Sequence, residues 1–404
     1  MTKTFIKKII NIILNIISCI IPKTRKIVIV GGWFGERFAD NSKAMYLFLF
    51  QNRKRLGLNK VIYVTRDKNI FQDLNSKGYS VLMNDSVISA WYHLRAKIHI
   101  VDQGAKDINR VYSIRATKIN LWHGFALKKV NYMLEKGYKS LEDVILTCEN
   151  NVTIANWNRA YYLAQSKEQG YQLQWMFGLR EDRLIYGIYP RVTYLMGGID
   201  KYYMNFEECV IEKLRHLKNK NKKIIFYLPT FRDSQECNDI CVSILLELRD
   251  FLFQNDIFLI TKLHYAANVS ATYVEDTENI INLQQQSDVY NFIEFADIMI
   301  TDYSSAYFDF MFLNRPIVFF PFDLANYQSN DRGFVYNYDE FIPGLKVLTV
   351  EELKSAILEL VNNEEEYMNK YSDIYQWEKE LVYEERTASI EEMDELWEKI
   401  SEIR

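Results

Sequence analysis

The chain has 404 residues, a length that favours two domains over one hydrophobic core. Hydrophobic residues make up 49% of it and charged residues 25%, which is typical of globular proteins and excludes extended disorder. A formal net charge of −4 gives no electrostatic support for a nucleic-acid partner, and five cysteines without a CxxC spacing predict reduced thiols rather than a disulfide framework or a zinc site.

The first predicted element is an amphipathic helix within residues 1–24. Isoleucines cover most of it, whereas one helical face is polar and carries Lys7, Asn11, Asn15 and Ser18. About 17 helical residues would reach only ~26 Å, short for a membrane span that carries a polar stripe. Because basic residues follow at once, we predict a helix that lies on the cytoplasmic face of a membrane, near anionic head groups. A signal peptide, a helix that covers the protein's own apolar surface and a true span are the alternatives.

Beyond this segment, short apolar strands alternate with helical stretches, which predicts a mainly parallel sheet. The strands predicted in the first half are residues 27–30, 61–64, 98–101, 119–122, 144–147 and 184–186. A lysine-rich run at 218–223 precedes a second series, with strands at 224–228 and 257–262 and one that begins at 298. The pattern predicts an α/β protein of two Rossmann-like halves with a cleft between them.

Three polar side chains follow predicted strands and are candidates for chemistry. His123 comes directly after the strand at 119–122, where a histidine is suited to proton transfer near neutral pH. His264 has a similar position in the second half, and Arg232 suits bidentate phosphate binding. The alternatives are structural histidines and a surface ion pair between Arg232 and Asp233.

A hydroxyl-rich turn, Thr301-Asp302-Tyr303-Ser304-Ser305, lies between an apolar strand and a short aromatic helix. In open α/β sheets ligands bind at the carboxyl ends of strands, and serine hydroxyls beside backbone N–H groups suit a phosphate or pyrophosphate. Simple helix capping is the alternative. Because three successive strand ends carry Arg232, His264 and the two serines, we predict a phosphate pocket with His123 as a candidate base on the facing wall. The chain has no GxGxxG, P-loop, HExxH or GxSxG motif.

These motifs make the chain similar to the CDP-glycerol glycerophosphotransferase family of teichoic acid polymerases and primases. The resembling segments are Asp40-Asn41-Ser42-Lys43, Trp122-His123-Gly124, Tyr189-Pro190-Arg191, Leu228 to Asp233, Lys262-Leu263-His264 and Thr301 to Ser305 with Asp309. The resemblance implies a GT-B fold, with an acceptor domain over residues 25–200 and a CDP-donor domain over 201–385. Residues 386–404 are predicted to form a C-terminal helix, and one arrangement left open is that it packs back on the first domain.

By this resemblance, His123 and His264 are predicted catalytic residues, with His123 as the base. Arg232 and His264 would hold the donor phosphates, and Ser304 and Ser305 would lie at the pyrophosphate. The further predicted substrate-binding residues are Lys128, Thr301, Asp302 and Asp309. For Asp302 the alternative is to order the turn, and for Asp309 it is to orient the helix.

The resulting hypothesis is transfer of glycerol phosphate from CDP-glycerol to a hydroxyl of a membrane-bound acceptor, with release of CMP, in synthesis of teichoic acid or a related surface polymer. Domain closure would bring His123 to the donor. The alternatives are a CDP-ribitol donor, a nucleotide-sugar glycosyltransferase for capsule, and an assembly protein without catalysis. No cofactor is assigned and the sequence has no dedicated metal site, but Mg²⁺ beside the pyrophosphate is left open.

Overall fold

A computed structural model describes residues 16, 18–135, 137–150, 159–230, 235–262, 279–324, 327 and 333–403, with only the backbone of 235–238. These residues form two compact units. The first unit comprises residues 1–123, 131–205 and 385–404, and the second comprises 124–130 and 206–384. The predicted amphipathic helix lies largely outside the described residues, which show helical backbone at 16 and 18–20.

The first unit is built on a seven-stranded sheet in which every neighbouring pair is parallel. The strand order is β3-β2-β1-β4-β5-β6-β7. The strands are β1 (Thr24–Val30), β2 (Lys60–Thr65), β3 (Val81–Met83), β4 (Ala96–Val101), β5 (Thr117–Asn120), β6 (Tyr161–Ala164) and β7 (Leu184–Tyr186). The isoleucines and valines of β1, β2 and β4 are buried, so the sheet carries apolar side chains into the core, as covered parallel sheets do.

Helices lie between most of these strands along the chain, and one follows β7. They are α1 (Asp40–Gln51), α2 (Lys68–Ser76), α3 (Val87–Arg95), α4 (Leu141–Asn150), α5 (Lys167–Phe177) and α6 (Pro190–Leu195). Residues 144–147, which the sequence analysis predicts as a strand, lie inside α4, so that prediction is wrong. Val144, Ile145 and Cys148 are buried on one face of this helix, a spacing that fits a helix as well as a short apolar strand.

The second unit holds a six-stranded parallel sheet with the order β10-β9-β8-β11-β12-β13. Its strands are β8 (Lys223–Leu228), β9 (Ile257–Thr261), β10 (Ile280–Asn282), β11 (Ile298–Thr301), β12 (Ile317–Phe319) and β13 (Leu345–Lys346). Its helices are α7 (Asn205–Asn219), α8 (Gln235–Gln254), α9 (Ala306–Phe310), α10 (Val350–Asn362) and α11 (Glu364–Tyr383). The core of this unit lies between the sheet and helices α8 and α10.

The chain returns to the first unit in helix α12 (Ile390–Glu402). Leu396 is fully buried, and Lys399 Nζ donates to the carbonyl of Tyr186 at 2.8 Å. Arg55 and Asp394 form a bidentate ion pair at 2.9 and 2.7 Å. Helix α12 is therefore an integral part of the first unit.

Residues 124–130, which the predicted boundaries place in the first domain, group with the second unit instead. Lys128 forms an antiparallel bridge with Phe334, and the N–H of Val335 donates to the carbonyl of Leu127 at 2.8 Å. The ring of Phe125 lies 5.1 Å from that of Phe308. These backbone and aromatic contacts fix the segment to the second unit.

No helix in the described part of the chain is long and apolar enough to cross a bilayer.

Candidate active site

His123 lies just beyond the carboxyl end of β5, in the first unit. The preceding residue, Trp122, has φ of 55°, a left-handed conformation that a bulky residue rarely adopts. Its ring lies 3.8 Å from the imidazole of His123, centroid to centroid. The side chain of Asn120 accepts a hydrogen bond from the N–H of Trp122 at 2.9 Å, which fixes the turn at its start.

Side chains from α1 and α6 hold this turn from both sides. Asn41 Nδ2 donates to the carbonyl of Trp122 at 2.9 Å, and Arg191 Nη1 donates to the carbonyl of His123 at 2.7 Å. The same guanidinium pairs with the carboxylate of Asp40 at 2.8 Å, and the N–H of Arg191 donates to Asn41 Oδ1 at 3.1 Å. The segments around Asp40 and Arg191, which were noted only as part of the family resemblance, therefore position the backbone of the candidate base.

The imidazole of His123 is half-buried, and its Nδ1 lies 3.4 Å from the carbonyl oxygen of Asp102. Because a carbonyl oxygen can only accept, Nδ1 carries the proton and Nε2 keeps a lone pair. Burial lowers the pKa of His123 below its usual value, while the carboxylate of Asp40 acts in the opposite direction. The ring is therefore neutral at neutral pH and able to accept a proton at Nε2.

Two buried aspartates at the end of β4 shape the neighbouring loops, and sequence reasoning missed both. Asp107 Oδ2 accepts the N–H groups of residues 102, 103 and 104 at 3.1, 2.8 and 3.0 Å. Asp102 accepts the N–H groups of Trp33 and Ser42 at 3.1 and 3.2 Å. Burial raises the pKa of Asp102 well above its usual value, and the charge of Asp107 adds to this. The space beside Asp102 admits only a glycine at position 32, because a Cβ on Gly32 would lie 1.9 Å from the hydroxyl of Ser42.

The hydroxyl-rich turn of the second unit follows β11, at the carboxyl edge of its sheet. Thr301 Oγ1 donates to the carbonyl of Leu228 at 2.8 Å. The buried carboxylate of Asp302 accepts the N–H of Thr230 at 2.9 and 3.1 Å and also that of Tyr303. Tyr338 donates its hydroxyl to the carbonyl of Asp302 at 2.9 Å. These bonds join the ends of β8 and β11 into one fixed turn.

Ser304 and Ser305 close the turn and are both half-buried. Ser304 Oγ accepts the N–H of Ala306 at 3.4 Å, whereas Ser305 precedes α9 without a side-chain capping bond. Its backbone is already helical, with φ of −70° and ψ of −3°, which is not the extended geometry of a capping residue. Ser304 therefore bonds only the first N–H of α9, and Ser305, which is at the capping position, makes no capping bond.

Gly124 packs directly on this turn within the second unit. A Cβ on Gly124 would lie 2.6 Å from Ser305 Oγ and 3.3 Å from its Cβ. A side chain at this position would displace the serine hydroxyl, so the glycine keeps Ser305 in its observed position. The glycine that follows His123 in the sequence thus controls the space around Ser305.

A family model described as CDP-Glycerol:Poly(glycerophosphate) glycerophosphotransferase matches residues 13–388. The chain belongs to this family. The teichoic acid glycerol-phosphate primase of Bacillus subtilis is 30% identical over 358 residues, which are 83% of this chain and 86% of that protein. The teichoic acid poly(glycerol phosphate) polymerase of Bacillus spizizenii is 27% identical over 366 residues, 88% of each chain.

Among solved structures, the wall teichoic acid polymerase TagF superposes with a TM-score of 0.67 at 20% identity, covering 94% of this chain and 90% of that chain. A TagF variant soaked with CDPG gives a TM-score of 0.68 at 19% identity with the same coverage. The predicted α/β, GT-B-like fold is confirmed, as are the family and the assignment as a glycerophosphotransferase.

Asp309 makes hydrogen bonds that hold helix α9 in place. It is fully buried on α9, and its carboxylate accepts the hydroxyl of Tyr383 at 2.8 Å and that of Tyr290 on its other oxygen. The carboxylate therefore ties α9 to α11 and to the loop after β10. These contacts fit the alternative of an orienting residue, and the predicted contact of Asp309 with substrate stays a prediction.

Lys128 is half-buried, and its ammonium lies over the ring of Tyr327 at 5.6 Å from the centroid. Its backbone pairs with Phe334. Thr301 and Asp302 are likewise engaged in holding the turn. The predicted substrate contacts of these three residues stay predictions.

Arg232 and His264 lie outside the described residues, so their predicted roles stay predictions too. The strand ends that precede them are described: Lys262, after β9, donates Nζ to the carbonyl of Ser287 at 2.6 Å. Within the described ranges no three His, Cys, Asp or Glu side chains converge as a metal site requires.

Proposed function

We propose that this protein transfers glycerol phosphate from CDP-glycerol to a hydroxyl of a membrane-bound acceptor and releases CMP, in the synthesis of teichoic acid or a related surface polymer. The family match over residues 13–388 supports the donor. The names of the similar proteins, glycerol-phosphate primase and poly(glycerol phosphate) polymerase, support the polymer.

The observation that carries the proposed mechanism is the position of His123 after β5, with Nδ1 3.4 Å from the carbonyl oxygen of Asp102. Burial lowers the pKa of this imidazole, which favours the neutral form. In the proposed step the acceptor oxygen attacks the phosphorus that bears glycerol. The P–O bond to CMP breaks, and the hydroxyl proton passes to His123 Nε2. A base that is neutral at the working pH and has a fixed tautomer suits this proton transfer.

The second unit is proposed to bind the donor at the turn after β11. The hydroxyl of Ser305 makes no capping bond and is the best described candidate for contact with the pyrophosphate. Arg232 and His264 are proposed to add positive charge around the phosphates as CMP leaves. Loss of one such group typically costs about 3–4 kcal/mol of transition-state stabilisation, by analogy with oxyanion donors.

The site of action is proposed to be the cytoplasmic face of the membrane, with the protein bound peripherally. Support comes from the amphipathic pattern of residues 1–24 and from the basic residues Lys23, Arg25 and Lys26 that follow. Vesicle binding before and after deletion of residues 1–22 tests whether this segment anchors the protein, and unchanged binding would refute that role.

A donor screen tests substrate class and catalysis together. The protein is incubated with CDP-glycerol, CDP-ribitol or nucleotide sugars in the presence of membrane acceptor, with and without EDTA, and nucleotide products are separated. We expect CMP from CDP-glycerol. If CMP forms only from CDP-ribitol, the donor is CDP-ribitol and not CDP-glycerol. If a nucleotide is released only from the sugar donors, the proposed transferase class is refuted.

The variant His123→Ala tests the base. We expect CMP release to fall by 10²-fold or more, on the order of what general-base catalysis contributes. His216→Ala is the matched control, because His216 is exposed on α7. Wild-type turnover of a correctly folded His123→Ala protein would refute the assignment.

A further inference from the structure

A second concave site lies in the first unit, at the amino ends of its strands. The cavity measures about 430 Å³, and its lining includes four cationic side chains, those of Lys23, Arg25, Lys97 and Arg115. Cys19 lies in its wall. Neither the family motifs nor the proposed catalytic step uses any of these residues, although Lys23 and Arg25 also support the proposed membrane location.

The cavity is at the opposite edge of the sheet from His123. Arg25 and Lys97 lie near the starts of β1 and β4, and Arg115 precedes β5, whereas Asp102 and His123 follow the ends of β4 and β5. A strand of six residues such as β4 spans ~20 Å. The cavity is therefore separate from the candidate active site.

Backbone carbonyls hold the cationic groups of this cavity in place. Lys23 Nζ donates to the carbonyl of Leu94 at 2.7 Å, and Arg115 Nη1 donates to that of Ser18 at 2.9 Å. Arg25 Nη2 donates to the carbonyl of Ile403 at 2.7 Å. Carbonyl oxygens orient these groups without supplying an opposite charge.

No carboxylate is among the described lining residues, although the chain as a whole has a net charge of −4. Burial lowers the pKa of Lys23 to about 8, with repulsion from Lys118, Arg115 and Lys97 as further causes. Cations that repel one another in one cavity are stabilised when an anion binds there. A phosphate group, with several acceptor oxygens, matches this charge and can accept from Lys97 and from the remaining guanidinium N–H groups of Arg25 and Arg115.

Helix α3, whose carboxyl end is next to this cavity, has an exposed apolar surface. Val87, Ile88 and Trp91 are 86%, 58% and 49% exposed and share one side of the helix. The guanidinium of Arg95 lies 5.6 Å from the ring centroid of Trp91. Aliphatic and Trp side chains beside basic residues are typical of helices that lie in a membrane interface.

The two features are physically joined, because Lys23 donates to carbonyls at the carboxyl end of α3 and so lies in the cavity and against that helix. We propose that the cavity binds a phosphate group, and that this group belongs to an anionic phospholipid whose bilayer receives the exposed face of α3. The lipid source, but not phosphate binding itself, rests on the proposed membrane location.

Vesicle binding by the full-length protein tests the lipid source. The variant Lys97→Gln/Arg115→Gln is compared with the wild type on phosphatidylglycerol/phosphatidylcholine vesicles and on phosphatidylcholine alone. We expect weaker binding to the anionic vesicles by about fivefold for each charge removed. Lys54→Gln is the matched control, since Lys54 is exposed in the same unit and does not line the cavity.

Equal binding by the double variant and the Lys54→Gln control would overturn the lipid source. A Trp91→Ser variant that binds anionic vesicles as well as the wild type would overturn the role of α3. The double variant should release CMP from CDP-glycerol at the wild-type rate in detergent, so this test is separate from that of the proposed transferase.

Alkylation of Cys19 tests phosphate binding without a membrane. Iodoacetamide modification of Cys19 and Cys209, both exposed, is followed by peptide mass spectrometry in inorganic phosphate or in chloride of equal ionic strength. We expect phosphate to slow modification of Cys19 severalfold and to leave Cys209 unchanged, and the double variant to lose this protection. If phosphate does not protect Cys19, the phosphate site is overturned. If phosphate protects Cys19 but the double variant binds vesicles as well as the wild type, the phosphate site is supported and the lipid source is overturned.

Discussion

At the residue scale, the candidate base depends on side chains that are remote in sequence. Arg191 bonds the carbonyl of His123 and pairs with Asp40, from which it is 151 positions away. Asn41 bonds the carbonyl of Trp122, the residue in the left-handed conformation. The sequence pointed to His123 because it follows a strand, but no local spacing links it to α1 and α6.

We expect Asn41→Ala to lower CMP release while leaving the KM for CDP-glycerol unchanged. The substitution leaves the carbonyl of Trp122 and the N–H of Arg191 without their partner, at a cost of about 1–3 kcal/mol in stability. Steady-state kinetics and urea unfolding measure the two effects. Asn52→Ala is the control, because the bonds of the Asn52 side chain are local: it donates to the carbonyl of Phe48 and accepts from Arg55 Nε. A kcat loss in that variant as large as in Asn41→Ala would contradict a positioning role.

Glu378 gives a second prediction at this scale. It is fully buried, it accepts the hydroxyl of Tyr307 at 3.1 Å, and burial raises its pKa to about 9. Between pH 4.5 and 9 the unfolded chain releases this proton and the folded chain keeps it, so stability falls as pH rises, by about 1.4 kcal/mol per pH unit.

We expect Glu378→Gln to remove this slope, which urea unfolding at several pH values between 5 and 9 would show. The variant Glu380→Gln, exposed on the same helix, should keep the wild-type slope. A slope that survives in Glu378→Gln would mean that another group is responsible.

At the element scale, the contact between Gly124 and the turn after β11 gives a paired prediction. Gly124→Ala should displace the Ser305 hydroxyl, raise the KM for CDP-glycerol and cost about 1–3 kcal/mol in stability. Adding Ser305→Ala removes the nearest atom and should restore most of the stability, but not the KM. A double-mutant cycle measures the coupling.

Ser304→Ala is the matched partner in this cycle, because no Ser304 atom is within 4 Å of the Cβ position at Gly124. Equal recovery with Ser304→Ala and Ser305→Ala would rule out the specific contact.

Much of the element pattern could be predicted from the sequence, since buried parallel strands are short β-branched runs. The runs that became β1, β2, β8 and β9 are of this kind. The run at 144–147 is equally apolar but belongs to α4, because periodicity over four residues does not separate a strand from a buried helical turn. The grouping of residues 124–130 with the second unit depends on pairing with Phe334, about 200 residues away, which no local signal contains.

At the scale of the whole molecule, helix α12 completes the first unit. We expect Leu396→Ala to destabilise that unit by about 2–5 kcal/mol, as buried leucine truncations do. Hydrogen exchange with peptide resolution should show faster exchange in β5 to β7 and unchanged exchange in β8 to β12. Leu353→Ala, buried in the core of the second unit, should show the reverse; identical exchange maps for the two variants would contradict two separately cored units.

The division of the chain also has a consequence for synthesis. Residues 385–404 belong to the first unit but are translated only after residues 206–384. A ribosome therefore makes the whole second unit before Leu396 can fill its place beside Gly187, or the carbonyl of Ile403 can meet Arg25. Since domains usually fold in order of emergence, the second unit is the first that can close its core, and the nascent first unit waits with an exposed apolar surface for its final helix.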